Sequence, residues 1–217
     1  NFAGGNRIYK TYKTYKTYKT YNIYKICKLT FLMAEKLNHP GDVDDWNVYR
    51  KCAIICDVTE HFINSFLPQC RTIDQMRQAA RSGKQNLVEG LADIIVSFEM
   101  GYRLIGVSRG SLRELREDYK DFLRQHDMEI WSFDDKRTVR CRTYSSSGQL
   151  SIKAYTDICK AKEPDAIANV MITLISQVDA AITSLMKDFE EEFRQTGGIK
   201  EKLTQIRRTW RKDNLGY

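Results

Sequence analysis

Three histidines, His39, His61 and His126, are the only ones in the 217-residue chain. Imidazole titrates near neutrality and is the commonest general base. None of the three stands at motif spacing from a plausible nucleophile or metal partner, so sequence alone offers no triad and no hydrolytic centre. Cys52 and Cys56 lie one helical turn apart and could share a metal. No second Cys or His pair sits at ligand spacing, and packing as small hydrophobes is the preferred reading. A Gly-rich phosphate loop is also lacking: Gly101, Gly106 and Gly110 fall within a helical pattern, where they read as points of close helix approach. Glu89, before Gly90, reads as a hydrogen-bonding partner for a neighbouring helix start rather than a catalytic carboxylate. The expectation is a protein that is not an enzyme, with no metal and no cofactor.

The residue types that remain are basic, and their chemistry is phosphate binding. Arg77, Arg81 and Lys84 recur at helical spacing in one segment, and Arg109, Arg113 and Arg116 in the next. Lys136, Arg137, Arg140 and Arg142 cluster further on, as do Arg207, Arg208, Arg211 and Lys212 near the end. Such clusters meet RNA or DNA backbones, more so if an oligomer repeats them. The competing reading is a solvated helix face, with Glu114, Glu117, Asp118 and Asp121 at salt-bridge spacing from the arginines of their own segment. For any single arginine that plainer reading is favoured.

Net charge does not decide between them. Residues 1–32 hold Arg7 and six lysines without an acid and carry the whole +7, so residues 33–217 balance at zero. Tyr9 to Tyr21 repeats Lys-Thr-Tyr with a period of three, which builds neither a helix face nor a strand face. Low complexity and like charge point to a disordered arm. Alternating Lys and Tyr could stack and pair on single-stranded nucleic acid. Met33-Ala34-Glu35 reads as a natural start, and translated upstream repeat DNA or a misassigned start site is favoured over a functional arm for 1–32.

The elements that must position these residues follow from apolar spacing. A first helix is expected from Asp42 and Asp44 as candidate caps, carrying Trp46, Tyr49, Ala53, Cys56, Ile63 and Leu67 on one face and Val48, Ile55, Phe62 and Phe66 beside it, until Pro68 stops it. A second runs from about Thr72 through Met76, Ala80, Gly83, Leu87 and Leu91, and a third carries Tyr102, Ile105, Leu112, Leu115, Tyr119 and Phe122. The period hardly pauses at Ile94-Ile95-Val96, but one unbroken helix would be roughly 80 Å long. The chain must therefore turn between Gly90 and Ser97, with Ser97 and Glu99 as the restart. The fourth helix is the clearest: Ile167, Met171, Leu174, Val178, Ala181, Leu185 and Phe189 alternate steps of four and three, and Gly197-Gly198 ends it. A short basic helix, Ile199 to about Lys212, follows. Between the third and fourth helices, Thr138–Tyr144 and Leu150–Tyr155 alternate around Ser145-Ser146-Ser147-Gly148 as a short hairpin would.

Two strings carry a resemblance. Arg77-Gln78-Ala79-Ala80-Arg81-Ser82, continuing to Asn86-Leu87-Val88-Glu89-Gly90, and Gly110-Ser111-Leu112-Arg113-Glu114-Leu115 resemble motifs of the bacterial four-helix bundle proteins, among them those encoded in intervening sequences of 23S ribosomal RNA genes. Asp118-Tyr119-x-Asp121-Phe122-Leu123-Arg124 with Trp131, and Ala168-Asn169-Val170 through Asp188-Phe189 with Gly197-Gly198, are similar to a subgroup with a bundle suffix domain. The likeness covers about residues 44–212; Gly83-Lys84 stands where the family usually has Ile-Pro, and Ile94-Ile95-Val96 where its hinge is usually polar. The resemblance implies an up-and-down four-helix bundle, homo-oligomeric and typically pentameric. It implies no catalytic residues. Related bundle proteins accompany reverse transcriptases of diversity-generating retroelements and bind nucleic acid through basic surfaces.

The resulting expectation is an all-α protein. A tail, 1–32, precedes a four-helix bundle, 33–195, with an inserted irregular or hairpin segment at about 127–165 and a basic extension, 196–217. Without a run of ~18–20 consecutive apolar residues or a secretory leader, no membrane is expected and the cytoplasm is the expected location. The expected role is a scaffold that touches RNA or DNA; the alternative is a protein–protein accessory factor, for a reverse transcriptase for example, without such contact.

Overall fold

The computed structural model describes residues 47–67, 71–94, 97–146, 151–197 and 199–215. The 1–32 tail, the Asp42 and Asp44 caps, His39, Pro68, Ile95, Val96 and the 147–150 turn lie outside them.

Within residues 47–215 the described elements are all helices: α1 (Asn47–Phe66), α2 (Arg71–Asp93), α3 (Phe98–Gln125), α4 (Lys136–Ser146), α5 (Ile152–Lys160), α6 (Pro164–Thr196) and α7 (Ile199–Leu215). The turn expected between the second and third helices falls at Ile94, and Ser97 restarts the chain as α3's N-cap, its Oγ accepting from the Met100 N–H. Glu99 sits in that first turn, where a negative charge suits the helix dipole.

Small residues let α2 and α3 run antiparallel at close range. A Cβ on Gly90 would stand 2.8 Å from the Gly101 carbonyl oxygen, and one on Gly101 would stand 2.6 Å from the Gly90 oxygen. Further along, Ser108 donates to the Gly83 carbonyl at 2.6 Å, and Ser82 bonds Ser111 at 2.9 Å. Close approach is thus the role of Gly101. Gly106 and Gly110 do not share it: a Cβ at Gly106 would meet only Met186 at 4.0 Å, and one at Gly110 nothing within 4 Å.

Helix α1 lies antiparallel to α2, with the Cys56 thiol donating to the Ala80 carbonyl at 3.1 Å. It runs parallel to α3, with Thr59 and Tyr119 hydrogen-bonded at 2.9 Å in the core and Phe62 against both Tyr119 and Phe122. The three-and-four stripe of α6 closes this core: Ile167, Met171, Leu174, Ile175, Val178 and Ile182 are fully buried, each worth roughly 1.5–3 kcal/mol on transfer from water. Ala181, assigned to the same stripe, is half-buried. By length and composition Pro164–Gln195 would also suit a membrane span, but its stripe is spent on contacts with α1, α3, α4 and α5. Gly197, at φ +68°, ends α6 and donates to the Phe193 carbonyl.

The hairpin expected after α3 is not there. Thr138–Tyr144 belongs to α4, and Ile152–Tyr155 belongs to α5. Over six or seven residues a two-residue alternation and a helical stripe fit the same letters. The helical spacing is the one realised: Thr138, Cys141 and Ser145 face inward on α4, and Tyr155, Thr156 and Cys159 are buried on α5. Ser151 caps α5 by accepting from Ala154 N–H. Ahead of α4, Asn169 on α6 anchors the connecting chain by accepting from Trp131 N–H and donating to the Glu129 carbonyl.

Candidate nucleic-acid interface

The ten candidate cations divide by what holds them. Arg77 on α2 donates to Glu60 of α1 at 2.9 Å and to Asp74 at 3.1 Å. Arg109 and Arg113 on α3 converge on one carboxylate, Asp179 of α6, at 2.7 and 2.9 Å. Burial works against the Asp179 charge, but the hydrogen bonds from Arg113 and Arg109 outweigh it and hold the carboxyl below its ordinary range. The two guanidiniums thus share this one acid. Arg116 shares Glu117 with Lys120.

Arg137 is the most tied of the ten. It bonds Asp135 and Glu129, each at 2.7 Å, and its guanidinium lies 4.6 Å from the Trp131 ring centre. The Arg137 side-chain and backbone bonds hold Asp135 down to about 2. These contacts fix the turn into α4 and withdraw Arg137 from the set available to a ligand.

Arg81 and Lys84 on α2, and Lys136, Arg140 and Arg142 on α4, have no ion-pair partner among the described residues. Three of the five thus sit on an eleven-residue helix that contains no acid. The Arg142 guanidinium lies 3.8 Å from the ring centre of Phe133, which is 74% exposed. Planar cation on aromatic face is favourable by about 0.5–1 kcal/mol at exposed sites. Arg142 Nη1 is itself buried without an acceptor. Cations interleaved with exposed aromatics are the surface chemistry that holds phosphates and bases together.

The structure separates this set from what local spacing suggested. The partner of Arg109 and Arg113 is neither Glu114 nor Asp118 but Asp179, 70 and 66 residues away, which no within-helix spacing reveals. Phe133 carried no signal in the sequence beyond being aromatic. Lys51 on α1 did carry one: it falls between Val48 and Ile55 in an apolar stripe, and it is buried.

Groups that would serve catalysis are differently employed. The His61 ring meets Ser65 Oγ at 3.4 Å one turn along the same helix, and no carboxylate is bonded to it among the described residues. His126 bonds the Phe122 carbonyl at 2.8 Å and closes α3. Glu89 is exposed one turn before the end of α2, with no bond to the start of another helix among the described residues. Burial pushes the Cys56 thiol up to about 11 and that of Cys159 up to about 12, which keeps both protonated at neutral pH. Among the described residues no three His, Cys, Asp or Glu side chains gather at metal-binding distance.

Among the described residues every element is a helix, and of the five candidate cations without an ion-pair partner there, three lie on α4 and two on α2. Comparison with protein-family models, curated proteins and solved structures returned no match.

Proposed function

We propose that the chain is a non-catalytic, cytoplasmic scaffold of the bacterial four-helix-bundle type that binds nucleic acid. In this reading α1, α2, α3 and α6 form the up-and-down bundle, a reading supported by the pairwise directions of those helices, and α4 and α5 are an ornament upon it. The observation that carries the function is the concentration on α4, a helix without acids, of Lys136, Arg140 and Arg142, cations with no ion-pair partner among the described residues, beside an exposed aromatic.

The test is retention of labelled RNA and DNA on filters by the full chain at two salt concentrations. Exchanging Lys136, Arg140 and Arg142 for Gln together is expected to weaken retention at low salt and to flatten its salt dependence by about 0.7–0.9 in slope per lost phosphate contact. Arg77→Gln serves as the control and leaves retention unchanged, since that guanidinium is already committed to Glu60 and Asp74. Retention that ignores both salt and the triple exchange contradicts the proposal.

A second reading, assembly with copies of itself or with another protein, is favoured by Met100 and Val107. They are 58% and 47% exposed and stand seven residues apart on one face of α3. Self-association covers such a face, and sedimentation equilibrium reads it: a monomer at all concentrations removes self-assembly.

A further inference from the structure

Along α3, Met100, Leu104, Val107, Ser111, Glu114 and Asp118 step by four and three and so share one row. Ser82, Glu89 and Asp93 share a row on the antiparallel α2. The Ser82–Ser111 hydrogen bond, 2.9 Å long, joins the two rows into one flank of the α2–α3 pair. Met100 and Val107 leave that flank apolar and open to solvent. Its charge is of one sign. Glu89, Asp93, Glu114 and Asp118 have no ion-pair partner among the described residues, and Arg103, beside the row, is paired with Glu99. Asp118 is half-buried, and burial together with the charges of Asp121 and Glu114 pushes its carboxyl up.

Helix α7 carries the complement. Ile199, Leu203, Ile206 and Trp210 step by four, three and four along it, and its 17 residues hold six cations against two acids. Trp210 is 42% exposed, and α7 runs along no other helix among the described residues. A helix of this length is marginal in water unless its apolar row is covered. At 1.5 Å per residue α7 is about 25 Å long, and the row from Met100 to Asp118 is about 27 Å.

Resting on the self-assembly reading above, we infer that α7 of one copy lies along the α2–α3 flank of a second copy. Its apolar row meets Met100, Leu104 and Val107, and its cations meet the four acids. The flank of the same copy is out of reach. Helix α6 packs on the opposite side of α3, where Arg109 and Arg113 meet Asp179 and Phe98 stacks on Phe193 at 4.2 Å. The two residues between α6 and α7 span at most about 7 Å. The width of α3 is roughly 10–12 Å, too much for that link to cross. The contact is therefore head-to-tail, each copy giving one helix and offering one flank.

Sedimentation equilibrium of the full chain and two variants tests this. Wild type is expected to associate, less so as salt screens the opposed charges. Val107→Glu spoils the flank and Trp210→Glu spoils the helix; each is expected to weaken association at least about tenfold. Both side chains are exposed, so the melting temperature of either variant should match wild type. Mixed in equal amounts, the two variants are expected to associate again and to stop at two chains, the intact α7 of one on the intact flank of the other. Association untouched by Trp210→Glu, or variants that stay apart when mixed, overturns the inference and leaves self-assembly standing. A wild type that is monomeric at every concentration removes both.

Discussion

The α2–α3 pair and the α4–α5 insertion solve the burial of polar groups in opposite ways. Between α2 and α3 each buried hydroxyl has a partner: Ser108 the Gly83 carbonyl, and Ser82 both Ser111 and Asn86. From residue 131 to 156 lie four of the six orphaned polar atoms found among the described residues, on Trp131, Thr138, Arg142 and Thr156. The same stretch holds three of the five candidate cations without an ion-pair partner and the most exposed aromatic ring among the described residues. Natural cores satisfy their polar groups, and a concentration of exceptions marks a place where stability was not the only requirement. In the proposed reading, α1, α2, α3 and α6 supply rigidity and α4 and α5 carry the nucleic-acid surface.

The sharpest way to break this contrast is at the glycine contact. Gly101→Ala drives a methyl group into the Gly90 oxygen and the Ile94 backbone, and we expect a loss of about 3 kcal/mol or more in urea unfolding, since backbone cannot step aside as a flexible side chain can. The same exchange at Gly110, where a Cβ meets nothing, is expected to stabilise α3 by up to about 1 kcal/mol through helix propensity. Next in size is Tyr119→Phe, which strands the Thr59 hydroxyl in the core and should lower stability by about 1–3 kcal/mol.

Asp179→Asn is expected to remove about 1 kcal/mol at neutral pH, a modest loss because Arg113 is largely exposed to solvent. The sign with pH follows from the lowered Asp179 value. Its contribution is present above the unfolded carboxylate range and fades as pH falls through the folded value, so the thermal stabilities of wild type and variant converge below about pH 4. The smallest effects belong to the insertion: Thr138→Val and Thr156→Val remove orphaned hydroxyls and should leave stability within about 0.5 kcal/mol or raise it. A loss of several kcal/mol at either threonine abolishes the contrast.

What the letters revealed and concealed divides along the same line. The α6 stripe, the Ser97 restart and the Gly197 stop are local periodicities and caps, and the structure has all three. The α4–α5 helices were concealed because alternating Val, Cys and Tyr among Arg and Thr fits a strand as well as a two-turn helix, and only packing on α1 and α6 chooses between them. The candidate cations were visible as a set, but their sorting was not. Which arginine is neutralised depends on Asp179 and Glu60, acids brought in by the fold from other helices. Lys51 was readable in principle from its place in an apolar stripe, whereas the exposure of Phe133 has no counterpart in spacing.

Hydrogen exchange of the full chain with and without a single-stranded oligonucleotide tests most directly the claim that the insertion is the working surface. Slowed amide exchange is expected across residues 131–146, with α2 and α3 unchanged. Protection confined to α2 and α3, with the insertion exchanging as before, contradicts it.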